Sequence, residues 1–263
     1  MFIAAIGTSL LILFILVNTL YVKKRTYRFK ANVKHPFRIV HISDLHGRIQ
    51  YLNGSISSLV NHLNPDLLCI TGDLTNKATQ LPKVARELAK IQSRHGVFFV
   101  PGNYEREEMV YFRKRVIPEE HSYKRVVTYP ITTLENSCKE VVIQGTKVLL
   151  FGFDNSIYGN EKYPPEIKEI ENNFKLVLAH SPNIIHYVKE HQVSFDLLLT
   201  GHTHGGQVRL FSRTFGSYRH FHLGVIQTLG GYFGITRGLG TARLPIRINC
   251  FPEICVYEVE RKS

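Results

Sequence analysis

From Phe2 to Val22 the chain runs 21 residues without a charge or a proline. A run of that length spans the hydrocarbon core of a bilayer as one helix, and it predicts a transmembrane anchor over residues 1–22. A buried core helix would show a polar side. A cleaved leader would open on Lys or Arg and close on a small-x-small site, and the stretch has neither. Beyond it, short apolar runs alternate with helical spacing. Phe37–Ile42 (FRIVHI) predicts a strand, and Ile56, Leu59, Val60 and Leu63 predict a helix that stops at Asn64-Pro65. Asp66–Ile70 predicts a second strand, Val84, Leu88 and Ile91 a helix after Pro82, and Gly96–Val100 a third strand. The order β-α-β-α-β points to an α/β domain.

The second half carries apolar runs at Val141–Ile143, Val148–Phe153, Leu176–Ala179, Asp196–Leu199 and Gln207–Phe211. Few long helical patterns separate them, so this half is expected to add antiparallel strands. Together the runs predict two packed sheets with helices outside, in one domain over residues 37–263. No internal repeat or low-complexity tract interrupts it.

Charge adds an orientation to the anchor. Lys23, Lys24, Arg25, Arg28, Lys30, Lys34 and Arg38 follow it, and no acid occurs before Asp44. A basic flank faces the cytoplasm, so a single-pass cell-membrane protein with a cytoplasmic domain is expected, joined by a basic juxtamembrane tether over 23–36. Such a stretch suits anionic lipid head groups. Those seven residues supply more than half of the net +12. Nucleic acid is not an expected partner, because no basic motif interleaved with aromatics is present. Cys69, Cys138, Cys250 and Cys255 form no CxxC pair; a cytoplasmic domain keeps them reduced. Nothing in the sequence sets the oligomeric state.

The chemistry collects where apolar runs end. Asp44 and His46 follow the first strand, Asp73 the second and Asn103 the third. His180 follows LVLA, and His202 and His204 follow LLLTG. An α/β sheet presents groups to its ligand crevice at such strand ends, and carboxylate, amide and imidazole side chains suit divalent transition metals. Singly, Asp-x-His, Gly-Asp and Gly-Asn are ordinary turn or capping chemistry. Gly201-His202-Thr203-His204 is sharper, because alternate residues on an extended segment point the same way. Five clusters in this order, each closing an apolar run, carry the signal.

In these motifs the chain resembles the calcineurin-like metallophosphoesterases: Asp44-Leu45-His46, Gly72-Asp73, Gly102-Asn103-Tyr104-Glu105, His180, then Gly201-His202-Thr203-His204. Arg237-Gly238-Leu239-Gly240-Thr241 and the stretch from Leu244 to Asn249 also look like a membrane-associated bacterial phosphodiesterase branch. The resemblance implies a four-layer α/β sandwich of two mixed sheets flanked by helices, with two divalent metal ions at the strand ends. Mn²⁺ is the first choice, with Fe, Zn or Mg as alternatives. By the family pattern Asp44, His46 and His204 hold one metal, Asn103, His180 and His202 the other, and Asp73 bridges them. The implied reaction is hydrolysis of a phosphodiester or diphosphate by hydroxide shared between the metals. Two such cations clamp both oxygens of an in-line displacement.

One position departs from the pattern. Tyr104 stands where the family has a histidine, paired there with the following acid, here Glu105. Asn103, Tyr104 and Glu105 are therefore the catalytic candidates. A tyrosine donates a hydrogen bond without carrying positive charge, and a lost general acid matters least where the leaving group is already good. Aryl or diphosphate substrates are thus favoured over alkyl diesters. Two alternatives remain open: a nucleotide-linked lipid pyrophosphatase of the UDP-diacylglucosamine type, and a catalytically weak metal-binding scaffold. A short tether would keep the site near a bilayer, so a lipid-linked substrate is also expected. Arg209, Arg237 and Arg243 lie near glycine-rich segments and are candidates for gripping phosphate, or are solvated surface charges.

Overall fold

The apolar runs form two six-stranded sheets. The computed structural model describes residues 2–110, 113–118, 121–125, 127–128, 130–154, 156–210, 213–214 and 218–262. In chain order the strands of the two sheets are β1 (Lys23–Ala31), β2 (Phe37–Ile42), β3 (Leu67–Thr71), β4 (Val97–Val100), β5 (Ile131–Thr133) and β6 (Ser137–Ile143). They continue as β7 (Thr146–Gly152), β8 (Phe174–Leu178), β9 (Leu197–Thr200), β10 (Gly224–Thr228), β11 (Gly231–Ile235) and β12 (Glu253–Arg261). The α-helices are α1 (Phe2–Leu20), α2 (Ile56–Asn61), α3 (Leu81–Leu88) and α4 (Ile184–Glu190).

The sheet orders are β1-β12-β2-β3-β4-β5 and β6-β7-β8-β9-β11-β10. Strands β2 to β5 run parallel, as do β7, β8, β9 and β11. The antiparallel pairs are β12 with β2, β6 with β7 and β10 with β11. Both sheets are therefore mixed, and the second is parallel at its centre rather than antiparallel throughout. Strands buried on both faces read as continuous apolar runs, which is why LLCIT and FKLVL show no alternation.

Alternate residues still choose different layers. Leu67 and Cys69 face the second sheet, with Leu150, Leu176 and Leu199. Leu68 and Ile70 face outward onto Val84 and Leu88 of α3 and Val60 of α2. On the far side Val177 and Leu198 pack against Ile184 and Val188 of α4. The result is helix, sheet, sheet, helix, with the parallel strands of each sheet ending at a common edge.

Two expectations at the start of the chain are corrected. Among the described residues no helix is long and apolar enough to cross a membrane, so the transmembrane anchor over residues 1–22 is not supported, nor is the single-pass cell-membrane location with a cytoplasmic domain. The end of α1 belongs to the domain. Asn18 and Thr19 are buried, where Asn18 Oδ1 accepts from Asn249 N and Thr19 Oγ1 from Arg247 N, each at 2.9 Å. Leu20 O accepts from Leu52 N, and Val22 enters the core. Upstream of that turn, α1 exposes large apolar side chains from Ile6 to Leu16.

The expected tether is mostly a strand: β1 pairs parallel with β12 along its whole length. Phe29, Ala31 and Val33 alternate into the space between the sheets, and the Phe29 ring lies 4.5 Å from that of Tyr232. Lys24, Arg28 and Lys30 alternate onto the other face, where Arg28 pairs with Glu258 at 2.8 Å, while Arg25, on the side of Phe29, pairs with buried Glu253 at 2.8 Å. Of the strand expected over Gln207–Phe211, Arg209–Leu210 forms a two-residue hairpin strand with Arg213–Thr214; Phe211 lies outside the described residues.

Candidate metal centre

Because the parallel strands end together, their loops meet. Asp44 and His46 follow β2, Asp73 follows β3, Asn103 follows β4, His180 follows β8, and His202 and His204 follow β9. One ligand atom from each of Asp44, His46, Asp73 and His204 lies within 4.8 Å of all the others, and the same holds for Asp73, His180 and His202. His46 Nε2 is 3.0 Å from His204 Nε2, and His180 Nε2 is 2.8 Å from His202 Nδ1. Asp73 Oδ2 stands between the two groups, 3.7 Å from His46 Nε2 and 3.4 Å from His180 Nε2.

The backbone is bent to make this possible. Asp44, His46, Asp73, His202 and His204 all have positive φ, between 48° and 65°. A left-handed conformation costs a residue with a β-carbon roughly 1–2 kcal/mol, and it persists where the surroundings over-determine it, often at functional sites. Gly201 permits the closest approach of two loops: a β-carbon there would run into Ser43 Oγ and the Asp44 carboxylate.

Neighbouring groups choose which nitrogen of each ring faces inward. His46 Nδ1 meets Asn76 Oδ1 at 2.7 Å, His180 Nδ1 donates to Thr71 O at 2.8 Å, and His202 Nε2 meets Tyr218 Oη at 2.6 Å. Each contact leaves the opposite nitrogen facing the centre, the usual arrangement around a metal-ligating histidine. Asn103 Nδ2 donates to Glu107 Oε1 at 3.0 Å, which leaves Asn103 Oδ1 buried without a partner. A buried carbonyl oxygen without a donor is costly, and a cation satisfies it.

The electrostatics ask for positive charge. Burial pushes the Asp73 carboxyl up, but the charges of His180 and His46 win and hold it well below the usual carboxylate range. Burial alone would depress His180; Asp73 reverses this and raises it to about 10. Burial and the His180 charge together push His202 down to about 3. The pocket thus keeps Asp73 ionised with a proton beside it, and a divalent cation satisfies the same demand. The donor set of two carboxylates, four imidazoles and one amide oxygen fits such ions.

Removing the Tyr218 hydroxyl is expected to loosen His202. Tyr218→Phe should weaken metal binding at the His180–His202 group by about tenfold, read by titrating metal-free protein with Mn²⁺. Unchanged affinity would show that Tyr218 does not orient the ring.

Tyr104 lies at this centre, its ring packed edge-on to that of His46 at 5.0 Å between centroids. Burial and the Asp73 charge raise its pKa, so it stays a neutral phenol. Glu105 faces elsewhere. Its carboxylate accepts the backbone N–H of Asp73, Leu74 and Gly102 at 2.9, 2.8 and 2.6 Å, clasping the second and third ligand loops together. Among the candidate arginines, Arg237 is bound to buried Glu253, while Arg243 is exposed. Asn76, Glu107 and Tyr218 had no sequence signal of their own. Asn76 lies three residues beyond Asp73 in an ordinary turn, and Tyr218 follows no apolar run.

The family model for calcineurin-like phosphoesterases matches residues 37–206. The chain is 28% identical over 260 residues to the metallophosphoesterase YkoQ of Bacillus subtilis (strain 168), covering 92% of each chain. It is 26% identical over 239 residues to the metallophosphoesterase YkuE of the same organism, covering 85% of this chain and 79% of that one. Its identity to the phosphodiesterase YaeI of Escherichia coli (strain K12) is 26% over 248 residues, covering 90% of this chain and 87% of that one.

Proposed function

The chain belongs to the calcineurin-like phosphoesterase family and is a metal-dependent phosphohydrolase, and we propose that the bond it cleaves is a phosphodiester or a diphosphate. The observation that carries this reading is the position of Asp73, shared by two groups of ligands on one buried floor. In it, Asp44, His46 and His204 hold one divalent ion, Asn103, His180 and His202 a second, and Asp73 touches both. The orphaned Asn103 Oδ1 supports the second group. The metals are Mn²⁺ or a similar ion that accepts mixed nitrogen and oxygen donors. When bound, two such ions supply Lewis acidity toward the phosphoryl oxygens and lower the pKa of the attacking water.

The chain's own residues do the rest. The rings of His46, His180 and His202 are held in orientation by Asn76, Thr71 and Tyr218, so little reorganisation is needed at the moment of reaction. Tyr104 contributes a neutral hydrogen-bond donor beside His46, without the charge of an imidazolium. The site therefore handles substrates whose leaving group departs without a strong acid. The case for a lipid-linked substrate rested on the anchor and falls with it.

The experiment is an assay of the full chain on bis(4-nitrophenyl) phosphate, 4-nitrophenyl phosphate and a sugar nucleotide. The aryl diester should be cleaved faster than the monoester, with activity abolished by chelator and restored by Mn²⁺. Activity that survives chelation, or a preference for the monoester, would overturn the reading.

A further inference from the structure

The Arg247 side chain is fully buried. Arginine is almost never so deep unless it is paired, and here the partners are main-chain carbonyls rather than a carboxylate. Nε and Nη2 donate to Gly240 O at 2.9 and 2.6 Å, and Nη2 also to Arg237 O at 2.8 Å. Nη1 donates to Cys250 O at 3.2 Å and His204 O at 3.3 Å, and lies 3.9 Å from Cys250 Sγ. A guanidinium carries five N–H donors in a fixed fork, so a single side chain holds four carbonyls at once.

Two of those carbonyls lead to the first ligand group. His204 has φ at 51° and Asp44 at 54°, a conformation that persists only where the surroundings over-determine it. His204 O is held directly, with Gln207 N and Cys250 Sγ as further donors at 3.1 and 3.4 Å. Asp44 O is held one step away. It accepts from Gly240 N at 2.6 Å, and the Gly240 carbonyl is the one on which two N–H groups of the fork converge. Alongside, Leu239 N donates to Ser43 O at 3.0 Å, and a β-carbon at Gly240 would run into Leu45 O. Hydrogen bonds through Arg247 therefore join the two bent backbones whose ligand atoms, Asp44 Oδ1 and His204 Nε2, stand 3.4 Å apart.

The second group is held by other residues. Glu107 binds the Asn103 amide and Thr71 the His180 ring. His202 shares the loop of His204, but Tyr218 sets its ring and the Asp44 carboxylate accepts its backbone N–H.

Arg247 is itself fastened by α1. Its backbone N–H donates to Thr19 Oγ1, and that of Asn249 to Asn18 Oδ1, each at 2.9 Å. Both acceptors are steadied by their own helix: Asn18 Nδ2 donates to Phe14 O at 2.9 Å and Thr19 Oγ1 to Ile15 O at 2.7 Å. The last turn of α1 thus reaches the metal centre through one residue.

We propose that Arg247 is a positioning residue for the Asp44–His46–His204 group: it keeps the His204 and Asp44 backbones in register for one divalent ion, and Thr19 of α1 sets its own place. The inference rests on the two-ion reading above. The guanidinium acts through backbone carbonyls, so its effect belongs to one group and not to the other. Charge alone does not substitute for it. A lysine keeps the charge, but its ammonium is a compact point charge that lacks the fork and cannot span the Gly240 and His204 carbonyls.

The test titrates the metal-free full chain with Mn²⁺ by calorimetry in two backgrounds, with circular dichroism confirming the fold of each variant. Asn103→Ala leaves the Asp44–His46–His204 group intact, and His46→Ala leaves the His180–His202 group. In the first background Arg247→Lys should weaken Mn²⁺ binding roughly 10- to 100-fold, the range for residues that orient metal ligands. In the second the change should stay within about twofold, as for independent sites. Thr19→Val keeps the shape and removes the acceptor for Arg247 N. It should weaken the first group alone, by about fivefold, the net worth of one hydrogen bond. Equal weakening in both backgrounds, or unchanged affinity of the first group in folded Arg247→Lys protein, would overturn the role of Arg247. If Arg247→Lys does not fold, the Thr19→Val comparison decides, and an unchanged first group overturns the proposal. An Asn103→Ala protein that binds no Mn²⁺ while His46→Ala protein does would instead overturn the two-ion reading beneath it.

Discussion

Asp73→Asn is expected to lower kcat/KM on an aryl diester by on the order of 10³-fold, since metal-ion charge stabilisation is worth several kcal/mol. Fewer than two equivalents of bound metal should remain. The substitution keeps the shape and removes the charge. Asparagine Oδ1 can still accept the Tyr104 backbone N–H, which Asp73 Oδ1 now binds at 2.9 Å, so the loop should hold its course. The other side-chain position becomes an NH₂ group aimed at His180 Nε2 and His46 Nε2, where Oδ2 stood at 3.4 and 3.7 Å. Donors then face a site that needs acceptors. Elemental analysis of the purified protein measures the metal, and circular dichroism confirms the fold. Two equivalents retained at wild-type affinity would remove Asp73 as the shared ligand.

The opposite sign is expected at Tyr104. Tyr104→His places an imidazole against His46 and within the field of Asp73, which favours its protonated form. A protonated imidazole beside the departing oxygen acts as a general acid, an effect worth about 10²–10⁴-fold where the leaving group is poor. Hydrolysis of an alkyl diester should therefore rise by about 100-fold, the low end of that range, and of a nitrophenyl diester much less. A series of leaving groups of graded acidity measures this as a flatter dependence of rate on leaving-group pKa in the variant. A uniform change across the series would mean that residue 104 does not address the leaving oxygen.

The candidate ligand set was legible because each member closes an apolar run. Asp44 and His46 end FRIVHI, Asp73 ends LLCIT, and His202 and His204 end LLLT. A parallel strand buried on both faces has to be apolar, and the polar residues at its end have to serve the crevice. Both facts are local, so spacing alone carries them. Residues 23–31 were misread for a local reason too. Their period-2 pattern at Tyr27, Phe29, Ala31 and Val33 is interleaved with lysines and arginines, and the charges of one face obscured the apolar face opposite. Their partner is β12, the last strand of the chain, and no short window contains both. The long apolar run before them was legible as a helix. That its last turn is fastened through Asn18 and Thr19 to Asn249 and Arg247 was not.

By itself, then, the sequence determined the α/β class, the strand–loop positions of seven candidate ligands and the tyrosine at position 104, because side-chain chemistry and hydrophobic period are properties of neighbouring residues. Only the tertiary structure decided what those residues face. It turned Glu105 onto three backbone N–H groups, set Tyr218 against His202, and tied Gln207 to the loop that carries Arg243. These contacts join chain segments brought together by sheet order and loop path. Each forms only after the apolar faces have been buried and the remaining polar groups must find partners within reach.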